Sequence, residues 1–221
     1  MHLQYRFIYA VLAAKVKQYI ATEFGLDVLP DWLVELRPML CIKHDMRDYL
    51  ILKEPEGLEW IAVVCNVVFE MGVMSSFFGL YWDERKVVLI DGGKIKWVAT
   101  TLDTVALATV RAIEKEGEEK TRNRILLVQD FRTSQSEISA KVAEKTGKNG
   151  WTVEEVKYDQ WLEEAKDAAR KGDHIGLSKL TFGTVLLGSK WEEREEFVHG
   201  LLELPANQFD VAIGEVLKDV S

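Results

Sequence analysis

Cysteine is scarce in this chain: Cys41 and Cys65 are the two it has among 221 residues. They form no C-x-x-C pair and no ligand cluster with the four histidines, which excludes a disulfide scaffold and a zinc ribbon. The expectation is two reduced, buried thiols in a cytoplasmic protein. The acidic side chains fall in helical surface patterns rather than ligand clusters, so no metal site is expected. Basic charge is short as well. With 28 Lys and Arg against 36 Asp and Glu, the net charge is −8, and no long basic run offsets it. Such a surface repels phosphate backbones, which argues against nucleic acid as a direct partner. Long apolar runs are missing too. Phe7 to Ala14, behind Arg6, is a weak imitation of a signal-peptide core, and Lys15 and Lys17 follow at once. It falls short of the roughly 20 residues that a membrane span needs. Internal repeats, low-complexity tracts and flexible linkers are not found.

What is there is an ordinary globular composition, 48% hydrophobic and 29% charged. The chain is long enough to bury a core without metal or disulfide help. Residues 3 to 16 read as a helix that is apolar nearly all round. Val16 to Ala21 reads as a short strand, followed by the Thr22-Glu23-Phe24-Gly25 loop. Asp31 can cap a helix running to about Lys53, interrupted at Pro38. Trp60 to Cys65 is a continuous apolar run, the pattern of a strand buried on both faces. Lys86 to Ile90, Arg124 to Val128 and Trp151 to Val156 read as further strands. Thr101 or Asp103 caps a helix to about Lys115. Thr133 or Ser134 caps another that ends at Gly147, with Ser136 or Glu137 as reciprocal partner. Helices follow at about 159–171, 174–187 and 207–220. Helix and strand in alternation predict an α/β fold on a parallel sheet. The aromatic stretch from Asn66 to Trp82 has no clean period.

Several ordered stretches carry a family resemblance. Val16 to Gly25 (VKQYIATEFG) resembles a strand and loop written VKRFIPSEFG. Lys43 to Leu50 (KHDMRDYL) is similar to a K-x-x-x-R-x-Y-L helix, and Gly57 to Ile61 follows like GLTWT. Asp91-Gly92-Gly93, Thr100 to Asp103, Asn123-Arg124, Thr133 to Ile138 and Lys145 to Lys148 also match in order. Together they resemble the isoflavone-reductase-like branch of the NmrA family, particularly its fungal members, over nearly the whole chain. The resemblance implies an α/β chain with an incomplete Rossmann-type parallel sheet. Residues 1–65 would be the C-terminal part of an NAD(P)-binding domain. Residues 66–221 would form a smaller α/β substrate region interwoven with the rest of the sheet. The family opens with a strand and a G-x-x-G-x-x-G turn against the cofactor pyrophosphate. No such glycine cluster precedes Val16, so an N-terminally truncated chain without the front βα units is expected. The activity implied is NADPH-dependent reduction of an aromatic or polyketide-type carbonyl or enone in fungal secondary metabolism. A small molecule would be the partner. A non-catalytic NADP redox sensor and an inactive fragment are the alternatives.

The same resemblance places Thr22, Glu23 and Phe24 beside the nicotinamide end of the cofactor. Carbonyl or enone reduction also needs a group that stabilises or protonates the developing oxyanion. Lys43 is the candidate. It lies four residues before Arg47, so the two cations share a helix face, which is unfavourable unless an anion sits between them. The plainer reading makes both of them solvated surface groups, helped by Asp45 and Asp48. Tyr49 and Lys53 form a Y-x-x-x-K that resembles the short-chain dehydrogenase pair, but Tyr49 reads as core packing. Asn66 follows the buried strand, where an α/β sheet presents residues to ligand, and is expected either to contact cofactor or to close a turn. Phe69, Met71 and Phe77 are the expected wall for a planar substrate, with core packing as the alternative for each.

Overall fold

A computed structural model describes residues 3–27, 30–36, 41–147, 150–188, 190–206 and 208–218. The expectations for Pro38, and the side chains of Cys41 and His44, lie outside what is described. Helix α1 (Leu3–Ala13) leads into strand β1 (Gln18–Ile20). Helices α2 (Asp31–Leu36) and α3 (Cys41–Lys53) then precede β2 (Glu59–Val64). The aromatic stretch without a period resolves into short pieces: β3 (Val67–Val68), α4 (Phe69–Met74), a 3-10 turn at Ser76–Phe78 and β4 (Leu80–Tyr81). Each is too short to show a periodicity. Strands β5 (Lys86–Ile90) and β6 (Trp97–Thr100) follow, then α5 (Leu102–Glu114), β7 (Arg124–Leu127), β8 (Phe131–Thr133), α6 (Gln135–Thr146) and β9 (Thr152–Val156). The chain continues through α7 (Tyr158–Arg170), α8 (His174–Val185) and α9 (Phe209–Val216). Among the described residues no helix is long and apolar enough to cross a membrane.

The first sheet has the order β1-β2-β7 and is wholly parallel. Tyr19 pairs with Trp60, and Ile61 pairs with Arg124. Its central strand explains the apolar run 60–65. Ile61, Val63 and Cys65 pack under α5 against Val105, Ala108 and Ala112. Trp60 and Ala62 face the other way, onto Ile8 of α1 and Met46 and Leu50 of α3. Alternate residues therefore serve two layers, and both faces must be apolar. Completely burying side chains of this size contributes about 1.5–3 kcal/mol each. Strand β7 and helix α5, both beyond residue 65, complete this sheet and its outer layer.

Two further three-stranded sheets, β3-β6-β8 and β4-β5-β9, carry the rest. They mix parallel and antiparallel pairs, with β8 antiparallel to β6 and β9 parallel to β5. Their core joins Phe69, Phe78 and Trp97 to Ile138 and Val142 of α6 and to Leu180 and Phe182 of α8. Gln135, almost fully buried, ties α6 to this layer. Its amide donates to the Phe78 and Val88 carbonyls, and its oxygen accepts from Ile90 N. The caps form as the sequence suggests. Thr101 accepts from Thr104 N at the start of α5, and Ser134 accepts from Glu137 N at the start of α6.

Candidate functional site

The loop after β1 is stitched to the carboxyl end of β2. Phe24 N donates to Val63 O at 2.9 Å, and Asn66 N donates to Gly25 O at 2.9 Å. Two left-handed residues make this approach. Asn66 has φ +57°, a conformation asparagine tolerates well, and Phe24 has φ +33°, where a bulky residue is strained. Asn66 is buried, and its side-chain amide donates to Val98 O at 2.8 Å, fixing the strand end to β6.

Inside the loop, the Glu23 side chain is only 2% exposed. Its carboxylate takes Arg47 Nε at 2.8 Å and lies 3.6 Å from Lys43 Nζ. The Lys43 ammonium also donates to the Glu23 backbone carbonyl. The anion that two cations one turn apart require is therefore Glu23, supplied by the loop rather than by a ligand. Two positive charges against one negative leave a net single positive charge on this cluster.

Lys43 faces a cavity of about 400 Å³. Phe24, Gly25 and Asn66 form one side of it, and Met71, Gly72 and Ser75 of the α4 segment form the other, with Phe77 and Thr181 closing it. Gly25 lets the loop lie close to the amine, since a Cβ there would come 3.0 Å from Lys43 Nζ and push it aside. Gly72 lets α4 lie on the Phe78 ring, since a Cβ would fall 2.2 Å from that ring.

Of the residues singled out from the sequence, Lys43, Phe24, Asn66, Met71 and Phe77 line this cavity. Three others do not. Phe69 is fully buried, edge-to-face with Phe131 at 5.0 Å and with Phe209 at 6.0 Å. It precedes Met71 by two positions, which turns it about 200° around the helix, so it belongs to the core and not to the substrate wall. Thr22 is exposed and outside the lining. Glu23 points inward, held by the α3 cations, and lies behind Lys43 outside the lining. The Tyr49–Lys53 pair sits elsewhere. Tyr49 packs edge-to-face on Tyr5 at 4.8 Å, and Lys53 lies over its ring while bonding Glu56. Gly72, Ser75 and Thr181 gave no usable signal, and Thr181 reaches the cavity from α8, more than a hundred positions beyond Ser75. Cys65, at the end of β2, is buried, which pushes its thiol up to about 11 although the Lys43 charge pulls the other way. Among the described residues no group of three or more His, Cys, Asp or Glu could hold a metal.

The fold is that of the isoflavone-reductase-like NAD(P)-binding reductases, the same group that the ordered sequence stretches resemble. The relatives are specific. The chain is 29% identical over 213 residues to the oxidoreductase aprR of Aspergillus flavus, covering 95% of this chain and 70% of that one. A structure described under pinoresinol-lariciresinol and phenylcoumaran benzylic ether reductases superposes with a TM-score of 0.73 at 16% identity, over 96% of this chain and 70% of that one. AtPrR2 with NADP+ and (+)pinoresinol superposes with a TM-score of 0.67 at 17% identity, over 96% and 69%. No family model matches the chain.

Proposed function

We propose that this protein is an NADPH-dependent oxidoreductase that reduces an aromatic or polyketide-type carbonyl or enone, in fungal secondary metabolism. The observation that carries the reading is the Lys43 ammonium, presented to a largely apolar cavity and anchored from behind by Glu23 and its loop. Support comes from aprR, described as an oxidoreductase, and from AtPrR2, solved with NADP+.

The residues fit the nicotinamide end of such a cofactor. The missing side chain at Gly25 leaves space beside the Lys43 amine, space that a Cβ would fill. Phe24, Asn66 and Lys43 would hold that end. When bound, NADPH supplies a hydride. Lys43 supplies the other half of the chemistry: a hydrogen bond to the substrate oxygen and a proton as negative charge develops there. The Glu23 carbonyl fixes where the ammonium sits, so little reorganisation is needed at the moment of reaction. Arg47 keeps the Glu23 carboxylate in place and leaves Lys43 free to turn one N–H toward the cavity. Met71 and Phe77 offer apolar surface to a planar substrate, which on binding would displace water from beside the ammonium.

The test is NADPH binding by fluorescence titration, followed by NADPH oxidation with an aromatic enone such as benzalacetone. Lys43→Met is expected to lower kcat by about 100-fold or more while NADPH affinity stays within a few-fold. Unchanged turnover rejects the assignment of Lys43. Saturable NADPH binding without turnover on any carbonyl would move the reading to the redox sensor.

A further inference from the structure

The main cavity has a neighbour. A second hollow of about 220 Å³ shares Ser75 and Phe77 with it, so these two residues form a common partition. Both hollows are mostly apolar, the second through Phe77, Tyr81 and Ile175, and they differ in the few polar groups that each lining adds. The main cavity is mostly apolar once past Lys43. The second adds the hydroxyls of Ser76 and Ser178 and the amine of Lys179, with His174 at the start of α8.

Lys179 is half-buried, and among the described residues no carboxylate pairs with it. This is unusual in a chain with a net charge of −8, where Lys86, Lys141 and Lys166 each have an acidic partner. The nearby acid Asp173 is committed elsewhere, since its carboxylate accepts from Ile175 N at 3.0 Å and Gly176 N at 3.3 Å to cap α8. A half-buried ammonium without a counter-ion, in a hollow that also carries the Ser76 and Ser178 hydroxyls, can take an anionic oxygen. The space is small, so the anion belongs to the end of a larger molecule whose body occupies the main cavity.

We infer that the substrate is an acid: its planar apolar body lies along Phe77 and Met71 with the reacting oxygen at Lys43, and a carboxylate at the far end is held by Lys179. The inference rests on the main cavity being the substrate compartment, as the proposed function has it. It makes Lys179 a specificity residue that selects carboxylated over neutral substrates and takes no part in the chemistry.

Two fluorescent probes with one skeleton test it without cofactor. These are 8-anilinonaphthalene-1-sulfonate, whose sulfonate stands for the carboxylate, and its neutral parent N-phenyl-1-naphthylamine. The native protein is expected to bind the sulfonate about 10-fold more tightly than the parent. Lys179→Gln should weaken the sulfonate until the two probes agree within a few-fold, with the parent's affinity unchanged, which also reports that the variant is folded. Equal binding of both probes by the native protein overturns the inference, as does saturable binding of neither. So does a preference that survives Lys179→Gln, or one that disappears in Lys43→Met and not in Lys179→Gln. Because no hydride is transferred, a negative result here leaves the reductase reading standing. Discrimination that depends on Lys179 in a protein without turnover would keep the anion site and overturn the reductase reading.

Discussion

The floor of the cavity and its wall face the same space with different physics. On the floor, Lys43, Glu23 and Arg47 are locked by charge and by a backbone carbonyl, and the glutamate is sealed away from water. On the wall, Met71 is 67% exposed and Phe77 is partly buried, with edge contacts to Phe78 at 5.6 Å and Phe182 at 5.4 Å. A floor of this kind must keep one geometry, because a buried charge without its partner is costly. A wall of this kind can adapt, since methionine and aromatic rings re-pack at small cost. Under the proposed function, proton donation and substrate fit would fall to separate segments, the strand-loop-helix of the first sheet and the α4 segment.

Substitutions can break this contrast. The largest effect is expected just behind the wall. Phe69→Ala removes a fully buried ring and should cost about 3–5 kcal/mol in urea unfolding, whereas a residue facing substrate would cost far less. Next comes the floor. Glu23→Ala strands two cations and should cost about 3 kcal/mol, while Glu23→Gln, which keeps an acceptor for Arg47, should cost less. A loss below about 1 kcal/mol for Glu23→Ala would show that the cluster is solvated and the floor is not locked.

A smaller effect depends on pH. Burial raises the Cys65 thiol from 9.0 to about 11 in the folded protein, so the unfolded chain loses this proton first as pH rises. The contribution of the neutral thiol is therefore complete below pH 9 and drains away as pH climbs towards 11, by about 2–3 kcal/mol. Comparing the native protein with Cys65→Ala across that window isolates it, and a pH-independent difference between them would refute it. The smallest effect is at the wall itself. Met71→Ala should change stability by less than about 0.5 kcal/mol and raise KM for a bulky enone, with kcat held. A fall in kcat without a rise in KM would mean that the wall is as rigid as the floor.

The sequence revealed those parts of this arrangement that repeat or that name themselves. The run at 60–65 announces a strand covered on both faces, and Thr101 and Ser134 announce helix starts. Strands of two to four residues, such as β3, β6 and β8, carry too few positions for an alternation to show. At the site, the family resemblance, together with spacing, singled out Lys43 and its awkward neighbour Arg47. They could not supply the answer to that awkwardness, because Glu23 reaches α3 from 20 and 24 positions away and looks from its motif like a ligand contact. Phe69 and Met71 are equally apolar neighbours in the sequence, and only the direction in which α4 is rolled separates core from wall.

The central strand of the first sheet also constrains how this protein can be made. Trp60 and Asn123 exchange backbone and side-chain hydrogen bonds across 63 positions, and strand β7 begins one residue later. During synthesis, an apolar ribbon with one open edge must wait while about as many residues again are translated. Slow, non-local pairing of this kind is a standing risk of misassembly, and a chaperone that covers the ribbon during that interval should raise the yield of native protein.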